Sequence, residues 1–252
     1  MLAPAKIVLR RASSINVMVK RSLDVIIAVY GLVGCLPVVF LVCVAIRLDS
    51  RGPILFSQMR LGYRGKLFRI YKFRKFPHRA ALNGLPVTPA GDKRMTRVGR
   101  VLQKTKLDEL PQLWNVLRGD MSIVGPRPEA VEFADCFTNG LERVLDFKPG
   151  LLGPSQTLFR DEAILLAQQP DPVAFYRDVL FRIKARVDLA YFTKANVLLD
   201  LWWMMLGIAR VFFPNLFGDV SNMLEDAEGW VQKKGPAVAG VHHTPSPEAL
   251  DW

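Results

Sequence analysis

The sequence predicts a mainly helical α+β protein attached to a membrane, with a small β-hairpin and amphipathic helices lying along the bilayer surface. Three observations predict it. Residues 25–46 form 22 consecutive uncharged, mostly apolar residues interrupted by Pro37. Two short aromatic and apolar segments flank a glycine-containing connection between residues 54 and 74. Leu110, Leu113, Trp114 and Leu117 recur at the i, i+3, i+4, i+7 spacing of an amphipathic helix. With 252 residues, half of them hydrophobic, the chain suffices for one substantial domain plus appendages.

Charge is unevenly distributed. Residues 1–106 carry 21 Lys+Arg against 3 Asp+Glu, and the remainder carries 13 against 20. So basic a half implies an anionic partner, whether nucleic acid, acidic lipid headgroups or a phosphorylated substrate. Nucleic acid fits worst, because no nucleic-acid motif accompanies the basic residues and they adjoin the apolar run. Cys35, Cys43 and Cys136 form neither a disulfide framework nor a zinc spacing, which suits a reducing compartment.

Residues 1–19 read as a basic N-terminal segment and 20–48 as the membrane segment. At ~1.5 Å per helical residue the charge-free run reaches roughly 33 Å, enough to cross a bilayer core. It begins too late and runs too long for a cleaved leader. A spanning helix and a re-entrant hairpin both fit that length. Arg10, Arg11, Lys20 and Arg21 precede the run, Arg47 and Arg51 follow it, and Pro37 lies near its middle. These features favour the hairpin, which keeps both basic ends on the cytoplasmic face. Asp24 at the mouth of the run either pairs with Arg21, about one turn earlier, or sits in the headgroup region.

Residues 49–213 read as a domain on the cytoplasmic face with interfacial helices. The turn Ser50-Arg51-Gly52-Pro53 leads into the hairpin. Arg60, Arg64, Lys66, Arg69, Lys72, Arg74 and Lys75 make this the most basic part of the chain, suited to lipid headgroups or a sugar nucleotide's pyrophosphate. Residues 77–93 read as an irregular loop in which His78 is a solvated residue. The amphipathic helix starts close to Asp108, because Pro111 is tolerated only in a first turn, and Gly119 stops it. Asp108 and Glu109 are then either a helix cap and a dipole partner or a chemical pair. Arg97, Arg100, Lys104 and Lys106 precede them, and Gly125-Pro126-Arg127-Pro128 holds a guanidinium ready for phosphate. Adjacent carboxylates among cations suit a magnesium–pyrophosphate site. Residues 182–213 read as helical, with Trp202 and Trp203 either at headgroup depth or in a core. The 214–252 tail is expected to be disordered, and His242 and His243 in it are not a metal site.

The stretch Asp108-Glu109-Leu110-Pro111-Gln112-Leu113-Trp114-Asn115, continuing to Ser122 and followed by Val124-Gly125-Pro126-Arg127-Pro128, resembles the bacterial sugar transferase family. These are monotopic polyprenyl-phosphate phosphoglycosyl transferases. The likeness extends to Lys20-Arg21-Ser22-Leu23-Asp24, Tyr71-Lys72-Phe73-Arg74 and Lys148-Pro149-Gly150, and covers roughly Lys20 to Phe213. It implies a re-entrant helix–break–helix at the bacterial inner membrane with the active site on the cytoplasmic face. Leu36-Pro37 here replaces the family's usual Ser-Pro.

The resemblance also implies an enzyme. It would move a phosphosugar from a UDP-sugar to undecaprenyl phosphate, releasing UMP, as the first membrane step in assembling an exopolysaccharide, O-antigen, capsule or glycoprotein glycan. Asp108 would be the nucleophile, with Glu109 a metal-linked residue or a base and Mg²⁺ held by the pair. Arg127, Pro126, Lys72, Arg74, Arg60, Lys148 and Gln156 are the expected substrate contacts. Thr157 to Glu162 departs from the family's small-residue, glycine-arginine continuation. That departure leaves the sugar open and gives Arg160 either to the donor or to a salt bridge with a neighbouring acid. A catalytically inactive membrane scaffold of the same fold is the alternative, against which the intact Asp108, Glu109 and Arg127 argue. Nothing in the sequence specifies an oligomeric state.

Overall fold

A computed structural model describes residues 14–77, 86–213, 224, 225 and 229. The expectations for Arg10 and Arg11, for His78, and for most of the tail with His242 and His243 lie outside the described residues. Helix α1 (Ser14–Gly34) and helix α2 (Leu36–Asp49) form a bent pair, 59° apart. Pro37 lies in the first turn of α2, where a missing N–H removes no helical hydrogen bond. The proline therefore opens a second helix rather than kinking a continuous one. No single described helix is long and apolar enough to cross a membrane, whereas the bent pair meets that test together.

Charged residues in α1 dock it onto the rest of the chain, and the expected Arg21–Asp24 pairing does not form. Asp24, buried, accepts from the Ser122 hydroxyl at 3.0 Å and the Ile123 N–H at 2.9 Å. Arg21 donates instead to the carbonyls of Val116 and Leu117 at 2.7 and 2.9 Å. Those carbonyls end a helix, where unpaired C=O groups attract a cation. Lys20 donates to Val124 O and pairs with Asp200.

Strands β1 (Leu55–Leu61) and β2 (Leu67–Phe73) form the expected antiparallel hairpin, with Leu61 opposite Leu67. Helices α3 (Arg97–Thr105) and α4 (Gln112–Arg118) follow, and Gly119 at φ 86° ends α4 as the sequence implied. Short strands β3 (Ser122–Val124) and β4 (Gly150–Leu152) pair in parallel. Beyond them come α5 (Pro154–Leu158), α6 (Glu162–Ala167), α7 (Pro172–Phe175), a π-helical turn (Tyr176–Leu180), α8 (Phe181–Phe192) and α9 (Val197–Phe212). The architecture is mainly helical α+β.

Two contacts fix the frame around the later site. A Cβ on Gly125 would stand 2.3 Å from Lys148 O, so the backbones at β3 and β4 meet closer than any side chain permits. Asn115, fully buried, donates to Arg69 O at 2.8 Å and accepts from Tyr71 N–H at 3.2 Å, clamping β2 onto α4. Asn115→Ala should destabilise the fold by about 2–3 kcal/mol, because it strands one backbone donor and one acceptor in the interior. Chemical denaturation of the detergent-solubilised protein measures this, and a loss below about 0.5 kcal/mol would contradict the clamp.

Helix α9 is amphipathic in an inverted sense. Asp200, Trp203, Gly207 and Arg210 face inward, while Leu198, Trp202, Met205, Ile208 and Phe212 are exposed. Asp200 accepts from the Tyr191 hydroxyl at 2.6 Å as well as from Lys20, so its inward charge is satisfied. Of the two tryptophans, Trp203 thus joins the core with Tyr191 and Phe192, and Trp202 remains outside.

Candidate active site

The carboxylate pair sits on a turn that two backbone constraints create. Helix α3 ends at Thr105, and Lys106 takes a left-handed conformation (φ 60°, ψ 12°) that redirects the chain into a 3₁₀ turn, Leu107–Glu109. Pro111 then caps α4 without a side-chain hydrogen bond. Helix α4 thus begins beyond Asp108, and the Asp108 side chain caps nothing. It is 1% exposed, and neither of its oxygens accepts an aligned hydrogen bond, although Lys75 Nζ stands 3.0 Å from Oδ2. Native proteins satisfy most buried polar atoms, so an ungratified carboxylate is a mark of function.

Glu109 differs. Its Oε1 accepts from Lys72 Nζ at 2.8 Å. Lys72 and Lys75, from β2 and the residues just after it, thus face one carboxylate each. Lys75 is held in place through its backbone: its carbonyl accepts from Thr96 N–H at 3.0 Å, and Gly99 packs directly on it. A Cβ on Gly99 would lie 2.1 Å from that carbonyl oxygen, so α3 can approach only with glycine there.

Both carboxylates line a cavity of about 930 Å³ whose wall also carries Arg60, Lys72, Lys75, Lys106 and Arg127. Four of the expected contacts fare differently. Arg74 borders the cavity, but its guanidinium donates to Ser50 O and Arg51 O and braces the turn leaving α2. Lys148 lies outside the cavity lining, where Arg21, Asp24 and Asp120 are its charged neighbours. Gln156 donates to Gly125 O and Gly150 O, and Pro126 O accepts from Gly150 N–H; both hold the Arg127 turn in place. Arg160 makes no salt bridge with an adjacent acid. It donates to Arg210 O at 2.6 Å and Lys104 O at 2.9 Å, while Asp161 faces Arg210.

Behind Arg127 stands a buried polar network that the sequence did not reveal. Tyr176, in the π-helical turn, donates to Glu129 at 2.7 Å. Lys184 reaches both Tyr176 Oη and Glu162, at 3.1 and 2.7 Å. Asp188 accepts from the N–H and hydroxyl of Ser155, and the Arg127 backbone N–H also donates to it. These residues are scattered from 129 to 188 with no shared motif. The one local signal, charge at positions of otherwise apolar helices, is common in satisfied cores.

The electrostatics follow from burial and crowding. Burial alone would raise the Glu109 carboxyl, but Lys72, Arg127 and Lys106 outweigh it and hold Glu109 well below the usual carboxylate range. Burial likewise works against the Arg127 charge, and Glu162, Glu109 and Glu129 more than restore it. Lys72 goes the other way. Its burial and the nearby Arg127 pull it down to about 8, Glu109 notwithstanding. A neutral Lys72 cannot attract an anion, so kcat/KM for an anionic substrate should fall as pH rises through about 8. Lys72→Arg should remove that alkaline limb, because arginine stays protonated. A pH–rate profile checks this, and an unchanged limb in the arginine variant would exonerate Lys72.

The residues present fit Mg²⁺. Asp108 offers two oxygens without hydrogen bonds, and Glu109 has one besides that bound to Lys72. Among the described residues no three His, Cys, Asp or Glu side chains cluster. The ion would therefore share its coordination with a substrate's phosphate oxygens and water, as Mg²⁺ commonly does.

A family described as "Bacterial sugar transferase" matches residues 15–214. The chain is 40% identical over 153 residues to a UDP-N-acetylgalactosamine-undecaprenyl-phosphate N-acetylgalactosaminephosphotransferase of Aeromonas hydrophila, covering 58% of this chain and 35% of that protein. It is 35% identical over 217 residues to an undecaprenyl-phosphate glucose phosphotransferase of Komagataeibacter xylinus, covering 82% and 38%. A UDP-glucose:undecaprenyl-phosphate glucose-1-phosphate transferase of Caulobacter vibrioides is 43% identical over 140 residues, covering 54% and 52%. The chain thus spans about half or less of each of these relatives.

Proposed function

The chain belongs to the bacterial sugar transferase family, and from that premise we propose that it moves a sugar-1-phosphate from a UDP-sugar to undecaprenyl phosphate. The observation that carries this reading is Asp108: a buried carboxylate with no aligned hydrogen bond, walled by cations in a cavity of about 930 Å³. That volume lies at the upper end for small-molecule sites and suits a nucleotide sugar.

An Asp108 oxygen attacks the sugar-proximal phosphorus, and the bond from that phosphorus to the bridging oxygen breaks. UMP leaves with the bridging oxygen and its electron pair, and the phosphosugar stays on Asp108 as an acyl phosphate. An oxygen of the lipid phosphate then attacks the same phosphorus. The bond to Asp108 breaks, the carboxylate is restored, and a polyprenyl diphosphosugar departs. Splitting the displacement lets a water-soluble donor and a lipid acceptor react in turn at one carboxylate. Anion approaches anion in both steps, so Arg127, Lys72, Lys75 and Lys106 act chiefly by neutralising charge. Bound to Asp108 and Glu109, Mg²⁺ would add further positive charge beside the pyrophosphate.

A carboxyl held as acidic as Glu109 is a poor proton acceptor, and a phosphate monoester near neutral pH is already largely dianionic. Glu109 therefore serves the metal and Lys72 rather than acting as a base. Glu109→Gln should raise the Mg²⁺ concentration at half-maximal activity about tenfold. An unchanged Mg²⁺ titration would count against this role.

Membrane attachment is part of the reading. The bent α1–α2 pair, with Tyr30, Phe40, Leu41 and Leu48 exposed, supports a re-entrant insertion, and the outer face of α9 supports a helix lying in the interface. Both ends of the pair would then lie on the cytoplasmic face of the inner membrane. The deciding assay supplies the detergent-solubilised protein with UDP-glucose, UDP-N-acetylgalactosamine and other UDP-sugars, with and without undecaprenyl phosphate, and measures UMP. Release of about one equivalent without acceptor, and turnover with it, is expected. No UMP from any donor would leave an inactive scaffold as the better reading.

A further inference from the structure

The proposed reaction needs an entry for a lipid phosphate, and the structure has a second cavity against the same wall. It measures about 150 Å³ and lies between α9, β4 and α5. Lys106, Glu109, Arg127, Arg160, Glu162 and Val211 border both this cavity and the large one. At that size it is far too small for a nucleotide sugar, yet it has room for a phosphate and the first carbons of a chain. We infer that the acceptor's phosphate and first isoprene unit bind in this smaller cavity, reaching the Asp108 adduct from under α9 while the donor uses the larger one.

Three features of the lining support that occupant. Five cationic side chains, Lys106, Arg127, Arg160, Lys184 and Arg210, border the cavity against two carboxylates, Glu109 and Glu162. The balance favours a dianion. Leu110, Leu151, Leu152 and Phe159 supply an apolar side suited to a hydrocarbon. Thr157, 3% exposed, lines the cavity with a hydroxyl that has no hydrogen-bond partner, a donor free for a phosphate oxygen. Gly207 lets α9 pack closely on this lining: a Cβ there would lie 3.2 Å from Leu152 and 3.3 Å from the Thr157 hydroxyl and crowd both. The opposite face of the same helix carries the exposed apolar residues, so the cavity lies one helix away from the surface proposed to meet the bilayer.

This inference rests on the proposed function, and separating the two half-reactions distinguishes their failures. Thr157→Val keeps shape and should raise the KM for undecaprenyl phosphate about tenfold. Gly207→Leu fills the cavity and should raise it further. UMP released in a single turnover from radiolabelled UDP-glucose or UDP-N-acetylgalactosamine, without acceptor, should keep its wild-type amplitude in both. If both variants keep the wild-type KM for undecaprenyl phosphate, the acceptor does not bind there, although the enzyme's reaction stands. If Gly207→Leu loses its UMP burst it has misfolded, and Thr157→Val alone decides. A wild-type protein that releases no UMP would instead overturn the proposed function.

Discussion

Asp108→Asn should reduce UMP release by about 10⁴-fold or more while leaving the protein folded. Asparagine matches aspartate in shape but offers a neutral amide, a far weaker nucleophile toward phosphorus. The structure makes the stability half of this expectation specific. Asp108 is buried without aligned hydrogen bonds, and its charge is met by nearby lysines, Lys75 at 3.0 Å foremost, with Lys72 and Lys106 beyond it. Losing that charge relieves a desolvation cost and simultaneously leaves Lys75 less well neutralised, and the two effects oppose. The thermal midpoint should move by only a few degrees. Intact-mass spectra of wild-type protein mixed with donor alone should show a phosphosugar adduct that the asparagine variant lacks. A variant that keeps most of its turnover, or that still acquires the adduct, would remove Asp108 from the nucleophile's role.

Arg127→Ala should lower kcat/KM about 10³-fold, with Arg127→Lys recovering part of the loss. Lysine restores charge without the two-pronged donor geometry that fits phosphate oxygens. A second consequence separates Arg127 from an ordinary surface cation. Its charge helps hold Glu109 ionised against burial, and Glu109, Glu162 and Glu129 hold it ionised in return. Without it the Glu109 carboxyl becomes less acidic. Because Glu109 must be ionised to serve the metal and Lys72, the acid limb of the pH–rate profile should shift upward in the alanine variant. A parallel drop in rate at every pH would assign Arg127 to substrate contact alone.

The hairpin, the amphipathic α4 and the break in the apolar run were legible because each follows from local periodicity or from a proline or glycine. Local chemistry misled where a choice of partners existed. Arg21 lies one turn from Asp24, yet the unpaired carbonyls ending α4 and the Ile123 N–H within β3 offered each a better counterpart. By local pattern Asp108 read more readily as a helix cap, and only the left-handed Lys106 together with Pro111 displaced the helix start and set the buried carboxylate in the cavity wall. Arg74 and Gln156 carried the right chemistry for phosphate and donor, but the structure engages both with backbone carbonyls.

Sequence by itself therefore determined the family, the helical α+β class, the adjacent carboxylates and the arginine between two prolines. All of these rest on neighbours along the chain. Tertiary structure alone decided which cations face which carboxylate, that Lys72 serves Glu109 while Lys75 serves Asp108, and that Tyr176, Lys184, Glu162 and Asp188 stand behind Arg127. It also decided that a smaller cavity opens on the same wall. Burial and charge pairing arise between segments dozens of residues apart, and no local pattern encodes which of many similar lysines and acids will be brought within 3 Å.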